Sequence, residues 1–241
     1  MRARIHGNYA YVLTHHNGLF VVDITNPCQP QIAGVLGGDE IVCPRAIDMQ
    51  FRYAFIADVE GVKIVDVTSP QNPRLAAVVP MADARDIVVM RTYAYVAAGC
   101  QGLGVLDVQS PESPSTLRFF DAGGVINDAT AVVVGATYAS LFAYIADGTN
   151  GLCVVQLTTT KNGLAKGSSP EPRPHLIASY QTKGTAIALS EGMPRDRYVD
   201  IDGNQWAIFG RLGSRPFNNK EMNRMFLRDR QIYTVRDNPQ H

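Results

Sequence analysis

The sequence has no excess charge of either sign: 22 lysines and arginines face 22 aspartates and glutamates. That excludes a globally polycationic nucleic-acid binder and an acidic disordered tail protein. Charge is also sparse, at 18% of residues against 46% hydrophobic. Cysteine is scarce. Cys28, Cys43, Cys100 and Cys153 form no CxxC pair, so zinc-ribbon, thioredoxin-like and haem-attachment readings lack their spacing. A Cys28–Cys43 disulfide and four unpaired, small buried side chains both remain open. There is no GxSxG, HExxH or P-loop, which removes the commonest hydrolase, metalloprotease and nucleotide signatures. The opening MRARIHGNYAYVLT lacks the apolar core of a secretory signal. The longest uncharged run, Ala129 to Ala146, is β-branched, aromatic and broken by Gly135. It reads as two strands rather than a transmembrane helix.

Punctuation is plentiful instead, with 21 glycines and 14 prolines, a composition suited to many short strands. Four segments align: YAYVLTHHNGLFVVDI from Tyr9, YAFIADVEGVKIVDV from Tyr53, YAYVAAGCQGLGVLDV from Tyr93 and FAYIADGTNGLCVVQL from Phe142. Their glycines, Gly18, Gly61, Gly102 and Gly151, lie 43, 41 and 49 residues apart. Five residues after each comes Asp23, Asp66, Asp107 or Gln156. Proline pairs follow the first three: Pro27 with Pro30, Pro70 with Pro73, and Pro111 with Pro114. An apolar strand comes next in all four, as QIAGVL, RLAAVV, STLRFF and HLIASY, before AIDMQF, DIVVM, AVVV and TAIALS. Each unit therefore predicts four short strands, the tyrosine strand alternating and the post-glycine strand apolar throughout. A four-stranded unit at this period is the pattern of a β-propeller blade, which buries its faces only by stacking on neighbours.

GLFVVDI, GVKIVDV and GLGVLDV, with YAYV or YAFI upstream and an NPxxP-like turn downstream, resemble LVIVD repeats. The resemblance implies a β-propeller and an extracytoplasmic setting, periplasmic, secreted or at the cell surface. It carries no common catalytic residue set. The company such proteins keep implies redox or cytochrome partners.

The expected fold is thus all-β: a propeller of four-stranded blades over residues 1–190, with a C-terminal extension over 191–241. The units are about 1–43, 44–84, 85–128 and 129–184, with a leading strand at 185–190. KGTAIALSEG offers a strand to pair with an edge of the first blade. Four such units suffice for a four-bladed ring, whereas six or seven blades need roughly 250 to 300 residues. With Tyr9 aligned on Tyr93, Met1 falls opposite Arg85, at a leading strand already under way. The expectation is a piece of a larger ring, truncated upstream, rather than a complete four-bladed one.

Asp23, Asp66 and Asp107 each end a strand before a turn, where a carboxylate accepts backbone N–H groups. Where Gln156 replaces the acid, the compact proline turn is lost as well. The turn between the second and third strands carries His15 and His16, then Asp58 and Glu60, then Cys100, then Asp147. These are metal-ligand types on what the repeat makes one face, though polar turn tips are the ordinary outcome. Asp200, Asp202 and Asn204 suggest a calcium loop, but Gly203 falls at position four rather than six and Arg211 at position twelve. Asp202-Gly203 reads better as a hairpin turn. No cofactor and no resident metal are predicted.

Neutrality hides an asymmetry. Residues 1–160 carry 9 basic and 14 acidic groups, and residues 161–241 carry 13 and 8. NNKEMNRMFLRD predicts a short helix with Met222, Met225 and Phe226 on one face. Trp206, Arg211, Arg215, Phe217, Met222 and Phe226 are the candidate partner-binding residues of this basic extension. Nucleic acid is not expected, because the aromatics do not interleave on a strand platform. The leading functional expectation is a non-enzymatic scaffold, a protein-interaction subunit of a larger complex. The alternatives are a hydrolase or metal-dependent enzyme using the central funnel, and a carbohydrate-binding adhesin-like module.

Overall fold

The computed structural model describes residues 2–137, 140–158 and 170–190, together with the backbone of short strands between 197 and 232. The chain divides into two units, Met1–Ser190 and Glu191–His241. The first unit contains four antiparallel four-stranded sheets, each a meander in sequence order. Blade 1 holds β1 (Arg2–His6), β2 (Tyr9–Thr14), β3 (Gly18–Asp23) and β4 (Gln31–Leu36). Blade 2 holds β5 (Pro44–Gln50), β6 (Tyr53–Asp58), β7 (Gly61–Asp66) and β8 (Arg74–Pro80). Blade 3 holds β9 (Asp86–Met90), β10 (Tyr93–Ala97), β11 (Leu103–Asp107) and β12 (Ser115–Phe120). Blade 4 holds β13 (Ala131–Thr137), β14 (Ser140–Ala146), β15 (Leu152–Thr158) and β16 (His175–Tyr180). The uncharged run at Ala129 to Ala146 is accordingly β13 and β14. Among the described residues, no helix is long and apolar enough to cross a membrane.

Alternation gives every blade two apolar faces. Tyr53, Phe55, Ala57, Val62 and Ile64 of blade 2 pack against Ile87, Ala94, Val96 and Leu106 of blade 3. The opposite face of blade 2, with Ala54, Ile56 and Val65, packs against Tyr11, Leu13, Leu19 and Val21 of blade 1. Tyr93, Tyr95, Leu103 and Val105 of blade 3 meet Ala143, Ile145, Cys153 and Val155 of blade 4. The core is therefore a series of joints between sheets, and among the described residues no cluster joins blade 4 to blade 1. The first strands of successive blades lie side by side, β1 by β5, β5 by β9 and β9 by β13, and so form the inner side of the arc.

The repeated glycine has a double cause. Gly18, Gly61, Gly102 and Gly151 have φ of 80°, 139°, 73° and 86°, where a Cβ is strained. A Cβ there would also come within 2.1–2.4 Å of the carbonyl oxygen of Leu36, Val79, Phe120 or Tyr180 on the fourth strand. Each third strand meets its fourth through a register shift at the same place: Val21/Val22, Ile64/Val65, Val105/Leu106 and Val154/Val155. Such a bulge increases local twist and leaves Ala33, Ala76, Leu117 and Ile177 as the extra residues.

Two sequence expectations need correction. Residues 185–190 form no strand. Ala186 makes an isolated bridge with Gly148 of blade 4, not with the first blade. In the second unit, Leu227–Arg228 is a strand, β21, paired with β22 (Gln231–Ile232), where the expected helix would have continued. Main-chain pairing with a nearby segment supplies those residues with cross-strand bonds that a one-turn helix end lacks. The remainder of that helix lies outside the described residues. The unit also contains β17 (Arg197–Val199) paired with β18 (Gln205–Ala207), and β19 (Arg211–Leu212) paired with β20 (Arg215–Pro216).

Two substitutions test this account of the core. Gly102→Ala should lose about 3 kcal/mol in urea unfolding. Gly7→Ala, at φ 59° with no atom within 4 Å, should lose only about 1 kcal/mol. Equal losses would refute the carbonyl approach as the reason for the repeat glycine. Separately, the Tyr95 hydroxyl is buried without a partner, and Phe55 occupies the same register in blade 2. Tyr95→Phe should therefore gain about 1 kcal/mol in the same measurement.

Candidate functional site

The strand-ending aspartates hold turns. Asp23, Asp66 and Asp107 accept the backbone N–H groups of Thr25, Thr68 and Gln109 at 2.8, 2.8 and 2.9 Å. The Thr68 hydroxyl and then backbone, with Arg74, hold the Asp66 carboxyl below the ordinary range against its partial burial. A 3→0 backbone bond closes each proline turn behind them: Gln29 to Asn26, Asn72 to Ser69 and Ser113 to Ser110.

The turn residues singled out as ligand types do not share one place. His15 and His16 are exposed, with ring centroids 4.7 Å apart. His15 Nδ1 lies 3.6 Å from Cys43 Sγ. Asp58 is fully buried and accepts the N–H groups of Cys43 and Glu60, both at 3.1 Å. Glu60 Oε2 takes Lys63 Nζ at 2.7 Å. Asp147, equally buried, accepts from Asp128 N at 2.7 Å and Asn150 Nδ2 at 2.9 Å. Asp58 and Asp147 are thus equivalent clamps on the segments that lead into their blades. Among the described residues, no three His, Cys, Asp or Glu side chains converge as a metal site. Cys28 and Cys100 are exposed, Cys43 is half-buried and only Cys153 is buried, all as free thiols, so neither the disulfide nor four buried thiols describes the chain. Asp200, Asp202, Asn204, Phe217, Met222 and Phe226 lie outside the described residues. Trp206, Arg211 and Arg215 fall on β18, β19 and β20.

Two polar assemblies escaped the sequence reading. One is a ladder across three blades: Arg45 binds Asp83, Asp83 binds Arg85 at 2.7 Å, and Arg85 binds Asp128 at 2.6 Å. Burial pushes the Asp83 carboxyl up, but Arg85 and Arg45 outweigh it and hold it below the ordinary range. Gly99 and Gly148 let these acids approach, since a Cβ would stand 2.3 Å from Asp83 Oδ2 and 2.0 Å from Asp128 Oδ2. The other assembly runs along the inner strands. Asp48 on β5 accepts Val89 N–H of β9 at 2.7 Å, and Asp86 on β9 accepts Val132 N–H of β13 at 3.0 Å. Arg4 on β1 donates to the Ile47 carbonyl of β5 at 3.2 Å. Burial raises the Asp86 carboxyl above the ordinary range, against the opposing pull of Val132 N–H and the charges of Arg2 and Arg4. In AIDMQF and RDIVVM these acids look like ordinary alternation. Only knowledge of which edge each strand presents to the next blade would have found them.

The LVIVD repeat matches residues 1–36, 51–79, 82–120 and 140–157, on the second and third strands of all four blades. The chain belongs to the LVIVD repeat family. No curated protein matches it. Among solved structures, the computationally designed Ika8 protein is similar at 12% identity and TM-score 0.54, over 79% of this LVIVD chain and 52% of that one. The LVIVD chain thus spans about half the length of Ika8. The computationally designed Ika4 protein matches at 12% identity and TM-score 0.41, over 68% and 89% of the two chains. The fold is a β-propeller assembly of LVIVD blades.

The raised Asp86 carboxyl sets a pH dependence of known sign. A group whose folded pKa is raised contributes stability that is complete below its unfolded pKa, 3.8, and lost as pH rises through the folded value. Asp86→Asn keeps an acceptor for Val132 N–H and removes the charge. Its stability relative to the parent should therefore increase between pH 4 and pH 7. Urea midpoints that move in parallel across that range would contradict the burial of this charge.

Proposed function

We propose that this LVIVD propeller is a non-enzymatic scaffold, a protein-interaction subunit of an extracytoplasmic or cell-surface assembly. One observation carries the reading. Val35 on β4, Val78 on β8 and Phe119 on β12 stand opposite Phe20, Lys63 and Gly104, at one register in three successive blades. All three are exposed. A single exposed apolar residue means little, but the same one repeated on neighbouring outer strands forms a ridge suited to a protein surface. Outer strands also offer free backbone edges, which an extended partner segment can pair with.

The carboxylates that would be recruited for chemistry are spent on backbone N–H groups and arginines, which favours the scaffold over the funnel enzyme. The family resemblance supports the extracytoplasmic setting and redox or cytochrome partners. The basic extension, with Trp206, Arg211, Arg215, Phe217, Met222 and Phe226, is a second contact on the strength of its composition.

The double variant Val35→Asp, Val78→Asp tests the ridge. Both side chains are exposed, so the circular dichroism and melting temperature should be retained. A partner that co-purifies from the native source should be lost or weakened about tenfold or more. An unchanged partner yield with the folded double variant would remove the ridge from the interaction.

A further inference from the structure

The four thiols differ in what surrounds them. Cys28, in the proline turn of blade 1, and Cys100, in the turn between β10 and β11, are exposed, and Cys43 is half-buried. Cys153 is buried, and that burial pushes its thiol up. Among the described residues, Cys43 is the thiol with an imidazole against it: His15 Nδ1 stands 3.6 Å from Sγ, within hydrogen-bonding reach of a sulfur. The pair joins two blades, His15 on the turn after β2 and Cys43 on the segment leading into β5. Each partner is held by its backbone or its turn. The Cys43 N–H donates to the buried Asp58 at 3.1 Å. Thr14 Oγ1 fixes the turn that carries His15, donating to the Gly18 carbonyl and accepting the Asn17 N–H, both at 3.2 Å. In blade 4 the equivalent clamp, Asp147, holds the N–H of Asp128 at 2.7 Å, so Cys43 occupies the station of that acid. There the side chain is a carboxylate, met by Arg85 at 2.6 Å. In blade 2 the same station holds a nucleophile beside a base.

We propose that Cys43 and His15 form a thiol-exchange site, at which Cys43 takes up half of a low-molecular-weight disulfide. The Cys43 proton passes to His15 Nδ1 as Sγ attacks one sulfur of the disulfide. The S–S bond of that molecule breaks, a new S–S bond joins its attacked half to Cys43, and the departing thiolate takes the proton from the imidazole. One thiol and one disulfide enter, and one mixed disulfide and one thiol leave. Cys43 is thereby oxidised and the released half of the reagent reduced, with no further oxidant. Partial exposure admits a small disulfide to Cys43, whereas the burial of Cys153 excludes it. The exchange is stoichiometric, and an external thiol reverses it by the same steps. It places a removable polar group over the joint between blades 1 and 2, and it depends on neither the outer ridge nor the scaffold reading.

The test uses glutathione disulfide in excess over the reduced full chain, with peptide mass mapping to follow each cysteine in the same sample. Cys43 should acquire glutathione about tenfold faster, or more, than Cys28 and Cys100. His15→Gln should bring the Cys43 rate to within about a factor of two of theirs, while His16→Gln should leave the preference intact. Both histidines are exposed, so circular dichroism should be unchanged in each variant. Cys153 reports on the fold, because loosening would raise its rate together with the others. Comparable rates at the three accessible cysteines of the parent would overturn the proposal. So would a preference for Cys43 that survives His15→Gln, or one that is lost equally in His16→Gln.

Discussion

A four-stranded blade has two apolar faces and no interior, so the stability of every blade is held by its neighbours. Tyr53, Phe55 and Ile64 face one way and Ala54, Ile56 and Val65 the other, within a sheet one residue thick. Burial of each face in turn removes roughly 25 cal/mol per Å² of apolar surface from water. For this stacking to work, each sheet must carry the same twist. The bulge shared by all four blades, and the glycine that admits the fourth-strand carbonyl, set that twist. Glycine, bulge and aromatic strand are thus parts of one requirement, that successive sheets superpose well enough to interdigitate.

The polar residues follow from the same requirement. Stacking leaves the N–H groups of the inner strands and the lead-in segments facing neither their own sheet nor bulk water. Asp48 and Asp86 cap the inner strands of the following blade, and Asp58 and Asp147 cap the lead-in of their own. A buried N–H without a partner costs about 1–3 kcal/mol, so these carboxylates are better understood as parts of the joints than as reactive groups. The Arg45–Asp83–Arg85–Asp128 ladder ties the lead-in ends of three successive blades by charge.

Much of this was legible in the sequence because it repeats. The tyrosine strand, the glycine and the strand-ending aspartate recur at matching intervals, and each has a local cause: alternation, positive φ, a turn N–H. What did not show depends on relations between blades. Asp86 sits in a run that scans as plain alternation, yet its partner is Val132, 46 residues on. TAIALS carries a strand-like pattern, but among the described residues its bridge is Ala186 to Gly148 alone, because a strand needs an edge to pair with and pattern does not say whether one is free. Likewise NNKEMNRMFLRD has helical spacing, whereas pairing with Gln231–Ile232 draws Leu227–Arg228 into a strand. Local periodicity sets a preference that cross-strand pairing overrides.

The repeats diverge where the joints can absorb it. At one register on the rear face stand Phe20, Lys63, Gly104 and Cys153, each opposite the second-strand residue Val12, Ile56, Val96 or Ile145. Nothing in residue type unites an aromatic, an ammonium, a bare backbone and a thiol. Their surroundings adjust instead. Lys63 is met by Glu60 at 2.7 Å and Asp58 at 3.8 Å, so its buried charge is neutralised by acids of its own blade. The volume missing at Gly104 is filled by Met81 Cε and the Phe119 ring, 3.2 and 3.4 Å from where a Cβ would stand. This position lies on the third strand, near the outer edge, where side chains from the adjoining strand and blade can reach it. The second-strand aromatics Tyr11, Phe55 and Tyr95 are buried to 2% or less, and the sheets are closed around them. Divergence at this register is thus made good by neighbouring side chains, and one strand further out Val35, Val78 and Phe119 stand exposed.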